Sequence, residues 1–171
     1  MSQAVSTASA PEFDAREFRD ALSQFATGVT VITTRLSDEV FLGLTASSFN
    51  SVSLAPPLVL WSLSQAASSL PVFTGNSHYV INVLAGDQAA LAERFAMRIE
   101  NRFEGVDFHL SHTGLPILNG VAAWFECHNR SRYPEGDHVI FVGEVERCAV
   151  TPKPALVFHG GRFSQTAPLP D

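Results

Sequence analysis

Apolar residues along the chain recur in two rhythms. Near the start, Phe18, Leu22 and Phe25 follow one another at three and four residues, the spacing of one helical face. Asp14, three residues ahead of Glu17, has the form of a capping box and opens that helix, and Gly28 is expected to end it. From Val29 onward the apolar runs become short and dense. Residues 29–34, 40–44, 58–61 and 79–84 are rich in β-branched and aromatic side chains, with Ser37-Asp38-Glu39 and Pro56-Pro57 as turns between them. Residues 121–130 and 139–150 read as two long antiparallel strands joined through Tyr133-Pro134-Glu135-Gly136-Asp137. Residues 156–159 and Arg162-Phe163 form a last pair around Gly160-Gly161. Two short helices interrupt the strands. One begins at Leu70-Pro71 with Ser68 or Ser69 as its cap, and one runs through Leu91, Phe95 and Met97 with Asp87 as its cap. Residues 100–112 carry no clear period and are expected to hold a short helix or turn.

Strands outnumber helices and do not alternate with them, so the expected class is mainly β, an antiparallel barrel decorated by peripheral helices. Residues 1–12 are small and polar and read as a flexible N-terminal arm, 13–165 as a single domain, and 166–171 as a tail. No internal repeat or linker divides the chain.

A chain of 171 residues with 46% hydrophobic and 16% charged content can bury a real core. Its balance of 11 Lys+Arg against 17 Asp+Glu excludes a general nucleic-acid or anionic-membrane binder, which needs a basic face. It leaves room for an anionic cofactor, because local amides, hydroxyls and one or two Arg suffice to hold a phosphate. Cys127 and Cys148 belong to no Cys-x-x-Cys pair and read as free thiols of a reducing compartment, with a disulfide as the alternative. The N-terminus lacks a basic start and an apolar run, and no stretch is long enough to span a bilayer, so the expected location is the cytoplasm.

Chemistry concentrates in residues 45–57, where five hydroxyls between Thr45 and Ser53 alternate with Ala46, Phe49 and Val52. Such a stretch can bury one side while turning donors and acceptors toward a ligand, and as a polar loop between two strands it reads equally as a binding loop or as a solvated Ser-rich connection. Ser68 and Ser69 are a candidate phosphate site, with simple helix capping as the alternative. His138, following Gly136-Asp137, stands at a strand start, where a turn role and a ligand role are both open. His109 and His112 lack a Glu or Cys to complete a metal set, so no metal is expected. A nucleophile elbow, a P-loop and a dinucleotide glycine fingerprint are all missing from the sequence.

The order of these pieces is more specific than any one of them. Phe25-Ala26-Thr27-Gly28-Val29-Thr30-Val31-Ile32-Thr33 resembles the opening of the short-chain flavin reductase family, and residues 45–57 and 63–69 continue the resemblance. So do Val80-Ile81-Asn82-Val83-Leu84, Arg94-Phe95-Ala96, Gly114-Leu115-Pro116-Ile117-Leu118 and Gly136-Asp137-His138. The resemblance implies a flavin-binding split barrel of Greek-key type that works as a homodimer, with each flavin near the subunit interface. It implies reduction of free FMN or FAD by NADH or NADPH, and delivery of the reduced flavin to a partner monooxygenase. Thr30, Thr45, Ala46, Ser47, Ser48, Ser51, Val52 and Ser53 would then line the flavin ring and ribityl chain. Ser68 and Ser69 would meet the phosphate, Phe103 would lie by the cofactor, and His138 and Phe163 would face the nicotinamide, with His138 the candidate catalytic residue. A flavin-retaining electron carrier of the same fold is the alternative. Ala55 stands where the family usually has Asp before the prolines, and Gln65 where Lys is common; a neutral amide there implies weaker phosphate binding.

Overall fold

The computed structural model describes residues 10–170. The expected arm therefore lies mostly outside the described residues, and positions 10–12 are exposed. Helix α1 (Ala15–Ser23) opens with the expected capping box: Asp14 accepts from the Arg16 and Glu17 amides, and Glu17 Oε2 accepts from the Asp14 amide at 2.9 Å. It ends at Gln24, short of Gly28. The reason is that Thr27–Gly28 forms a strand, β1, laddered to Phe158 and Val157.

Two hairpins follow. β2 (Thr30–Ser37) pairs with β3 (Val40–Ala46), and β4 (Asn50–Leu54) pairs with β5 (Pro57–Ser64) around a cis Ala55–Pro56 bond. Here the expected polar loop is corrected. Only residues 47–49 are loop, because Asn50–Leu54 finds a partner in β5 and extends as an edge strand despite its Ser content. Then come α2 (Leu70–Gly75), β6 (His78–Val83) and α3 (Ala89–Ala96). Asp87 is not the α3 cap. Gln88 holds that position, and its Oε1 instead accepts from the Ala85 amide, tying the entry turn together. Met97 lies just past the helix end. The 100–112 segment, expected to hold a short helix or turn, is a turn followed by a strand that was not expected, β7 (Phe108–Leu110), which pairs with β8 (Pro116–Leu118).

The long hairpin is β9 (Ala123–Glu135) and β10 (His138–Val150), turning in only two residues at Gly136-Asp137. Gly136 has φ +57°, a conformation that glycine adopts without strain. β11 (Leu156–His159) and β12 (Arg162–Gln165) close the domain with β1 in a three-stranded sheet. The ladder continues one step beyond, since the Thr166 and Ala155 backbones bond at 3.0 Å.

The main sheet is antiparallel in the order β3-β2-β6-β9-β10-β5-β4, with no ladder joining β3 to β4. It nevertheless curls, because Leu44 and Ala46 of one flank share a buried cluster with Val59, Trp61 and Leu63 of the other. Trp61 stacks on Phe141 at 4.6 Å and meets Phe73 and Tyr79 edge-on, all of them fully buried. This is a split barrel with helices at its periphery. Among the described residues no helix is long and apolar enough to cross a membrane.

Candidate functional site

Two clefts meet along β3. The larger, about 1220 Å³, runs between β3, the segment after β5 and the turn after α3; Phe41, Thr45, Ser68, Ser69, Arg102 and Phe103 are among its walls. The smaller, about 550 Å³, is lined by Ala46, Ser47, Ser48, Ser62, Glu135 and His138. Leu44, Thr45, Leu63 and Ser64 belong to both, so the two form one groove.

Local sequence explains each wall. A Cβ on Gly43 would fall 2.6 Å from the Phe95 ring, so glycine lets β3 lie directly against α3. Phe103 packs edge-on against Phe95 at 5.0 Å and Phe108 at 5.5 Å, giving the larger cleft an aromatic side. Arg102 donates to Gly43 O and Met97 O, both at 2.7 Å. Burial lowers its pKa, yet a guanidinium remains a cation, and it places positive charge at the cleft. Thr45 donates its hydroxyl to Ala92 O at 2.6 Å, which pins β3 to α3.

The serines divide into two kinds. Ser48 Oγ donates to Ser62 O (3.2 Å) and accepts from Ser62 N (2.9 Å), standing in for the backbone of a strand pair just before β4 begins. Among the described residues no intramolecular acceptor takes the amide N–H of Ser47, Ser48 or Phe49. Ser69 occupies the cap position of α2 but makes no capping bond, and neither its hydroxyl nor that of Ser68 has a partner among the described residues. The capping alternative for these two serines is therefore not what the structure uses.

On the other side, His138 begins β10 opposite Ser64. Its Nδ1 lies 2.7 Å from Asp137 Oδ1. That bond from the His138 ring holds the Asp137 carboxyl below the usual carboxylate range. An ionised carboxylate only accepts, so Nδ1 carries the donated proton and Nε2 is left free.

The groove brings together Thr45, Ala46, Ser47, Ser48, Ser68, Ser69, Phe103 and His138. It does not include Thr30, whose buried hydroxyl donates to Ala46 O at 2.7 Å and only holds β2 to β3. Ser51, Val52 and Ser53 sit on edge strand β4, outside both clefts. Phe163 lies on β12, where its ring packs against Phe158 at 5.4 Å, also outside them. Gln65 lines neither cleft; its amide reaches the Gly136 carbonyl instead. Sequence reasoning passed over Arg98, Arg102, Ser62, Ser64 and Glu135. Arg102, beside Phe103 in a segment without periodicity, left no local signal.

The groove of this split antiparallel barrel thus has the free hydroxyls of Ser68 and Ser69 and an aromatic side at Phe103 toward one end, and His138 at the other. The family model described as "Flavin reductase like domain" matches residues 22–167, and the chain belongs to that family. It is 43% identical over 152 residues to the protein named FMN reductase (NADH) SmoA of Agrobacterium fabrum, covering 89% of this chain and 86% of that one. The reductase component of a flavin-dependent trigonelline monooxygenase of Acinetobacter baylyi is 39% identical over 86% of this chain, which spans 48% of that protein. Among solved structures, NADH:FAD oxidoreductase SgcE6 of Streptomyces globisporus, in complex with NAD and FAD fragments, superimposes with a TM-score of 0.87 at 37% identity. That match covers 92% of this chain and 96% of SgcE6.

Proposed function

We propose that this chain is an NAD(P)H:flavin oxidoreductase that transfers hydride from NADH or NADPH to FMN or FAD and supplies the reduced flavin to a partner monooxygenase. The observation that carries this reading is the continuous groove, in which the unpartnered hydroxyls of Ser68 and Ser69 and the His138 ring lie in two clefts that share Thr45 and Ser64. Two cofactors, when bound, supply the hydride chemistry themselves. The protein's part is to bind, orient and exclude water.

The residues present fit a flavin nucleotide. Ser68 and Ser69 offer free hydroxyls to a phosphate, and Arg102 adds positive charge to the same cleft. The free amides at residues 47–49 can donate to a carbonyl on which negative charge gathers. Phe103 and its neighbours supply an apolar wall for a ring system. In the smaller cleft, His138 Nε2 is an acceptor when the ring is neutral and suits a carboxamide N–H, so its role is orientation of the nicotinamide.

The resemblance to the family and the exposed apolar face of α1 support a homodimer. Two free cysteines, Cys127 and Cys148, support a reducing compartment, the cytoplasm.

Absorbance at the nicotinamide band tests the activity across FMN and FAD with NADH and NADPH. NADH oxidation that requires added free flavin is the expected result. A yellow protein that keeps its flavin and turns over none would identify an electron carrier, and no flavin-dependent rate in any combination would refute the reductase reading.

A further inference from the structure

Gln65 is exposed and lines neither cleft, yet three hydrogen bonds run from it to the β9–β10 turn. Its amide N–H donates to Asp137 O at 2.8 Å, and its side-chain Nε2 donates to Gly136 O at 3.1 Å and to His138 O at 3.4 Å. Every acceptor is a main-chain carbonyl of the turn that carries His138. The β10–β5 ladder ends at the pair His138–Ser64, and the β10–β9 ladder ends at His138–Glu135. Beyond those pairs, Gly136 and Asp137 form the free tip of the hairpin, and Asp137 is highly exposed. Gln65 is the tie that reaches past the ladders.

We infer that Gln65 is a positioning residue. It fastens the tip of the β9–β10 hairpin, and with it His138, to the segment that leads from β5 to Ser68 and Ser69. One residue then sets the spacing between the two ends of the groove. A charge is not needed at this position, since the acceptors are neutral carbonyls; a side chain that donates is. The role goes beyond the reductase reading and rests on it only for kinetic consequences.

Three substitutions separate donation from charge. Gln65→Lys can donate to the same carbonyls, Gln65→Glu can only accept, and Gln65→Ala does neither, while the backbone bond to Asp137 survives in all three. Amide hydrogen exchange of the flavin-free protein reads the tie without turnover. Exchange at the His138 amide should quicken by about tenfold in Gln65→Ala and Gln65→Glu and stay near wild type in Gln65→Lys. In the assay with flavin, the same two variants should raise KM for NADH and lower kcat/KM by about tenfold. FMN and riboflavin affinities should change by less than about threefold. Unaltered exchange and KM in Gln65→Ala would overturn the inference. So would a loss of affinity confined to FMN with a gain in Gln65→Lys, which would make position 65 a phosphate contact. If the wild type itself oxidised no NADH, the reductase reading would fall, and hydrogen exchange would still decide whether Gln65 holds the turn.

Discussion

Ser69 stands at the head of α2 and gives its hydroxyl to no helical amide, whereas Ser48 uses both faces of its hydroxyl on Ser62. Identical chemistry is thus left unpartnered in one place and used for sheet construction in another. Removing the Ser48 hydroxyl would unmake a strand edge, so its loss would not report on a ligand. Removing those of Ser68 and Ser69 breaks no bond among the described residues. The Ser68→Ala/Ser69→Ala double variant should therefore fold with unchanged stability and bind FMN more weakly by about 1–3 kcal/mol, the size of lost hydrogen bonds to a charged group. Riboflavin, which has no phosphate, should bind as before. Parallel titrations by flavin fluorescence check this, and equal weakening of both ligands would remove the phosphate from these serines.

At the scale of elements, one carboxylate holds a whole hairpin. Between β7 and β8, Ser111 Oγ, the Thr113 amide (2.9 Å) and Thr113 Oγ1 (2.5 Å) all donate to Glu126 Oε1 on β9. Burial pushes the Glu126 carboxyl up, but the Ser111 and Thr113 bonds, helped by Arg147 at 3.8 Å, outweigh it and hold the group below its ordinary value. A folded-state pKa below the unfolded one contributes stability that is full above the unfolded value, about 4.3 for Glu, and is lost as pH falls through the lower folded value. Glu126→Gln should thus cost about 1.5–3 kcal/mol in urea unfolding at pH 7, with the gap from wild type closing as pH drops below about 4. A gap independent of pH would mean that shape, and not charge, matters at this position.

Sequence alone placed the strands wherever apolar density was high, as at Val80 and Ile81, which are fully buried in β6. It could not reveal the Glu126 clamp, because the partners come from a turn more than ten residues away. The same limit hid β4. A Ser-rich segment has weak strand propensity of its own and becomes a strand only through its ladder to β5. In the groove, Ser68, Ser69 and His138 were legible as residue types in a known order. Which hydroxyls are free, and where Gln65 points, depend on tertiary partners.

For the molecule as a whole, a large uncovered apolar surface lies on α1. The helix is well capped and amphipathic, yet none of its residues is buried. Phe18 is 50% and Leu22 56% exposed, and Phe13, stacked on Phe18 at 5.4 Å, extends the same apolar face. On β4, Val52 and Leu54 are also uncovered, Leu54 at 95%. An apolar helical stripe normally faces a core, and burying one large side chain is worth about 1.5–3 kcal/mol, so the homodimer proposed above would gain stability by covering this face. The resemblance assigns Ser51, Val52, Ser53 and Phe163 to the ligand, yet they fall outside the groove of one chain. In the homodimer proposed above, a ligand that reached them would extend past the groove of one chain. Light scattering should therefore give twice the 18.5 kDa of one chain. Phe18→Glu/Leu22→Glu should reduce the particle to a single chain with an unchanged circular dichroism spectrum, since both side chains are half exposed and lie outside the buried core. Arg19→Ala, an exposed polar position on the same helix, should leave the assembly intact. If the sites straddle the interface, the dissociated variant should also bind flavin at least about tenfold more weakly, although no groove residue has been changed. A wild-type chain that sediments as a monomer at micromolar concentration while reducing flavin at full rate would show that one copy is enough.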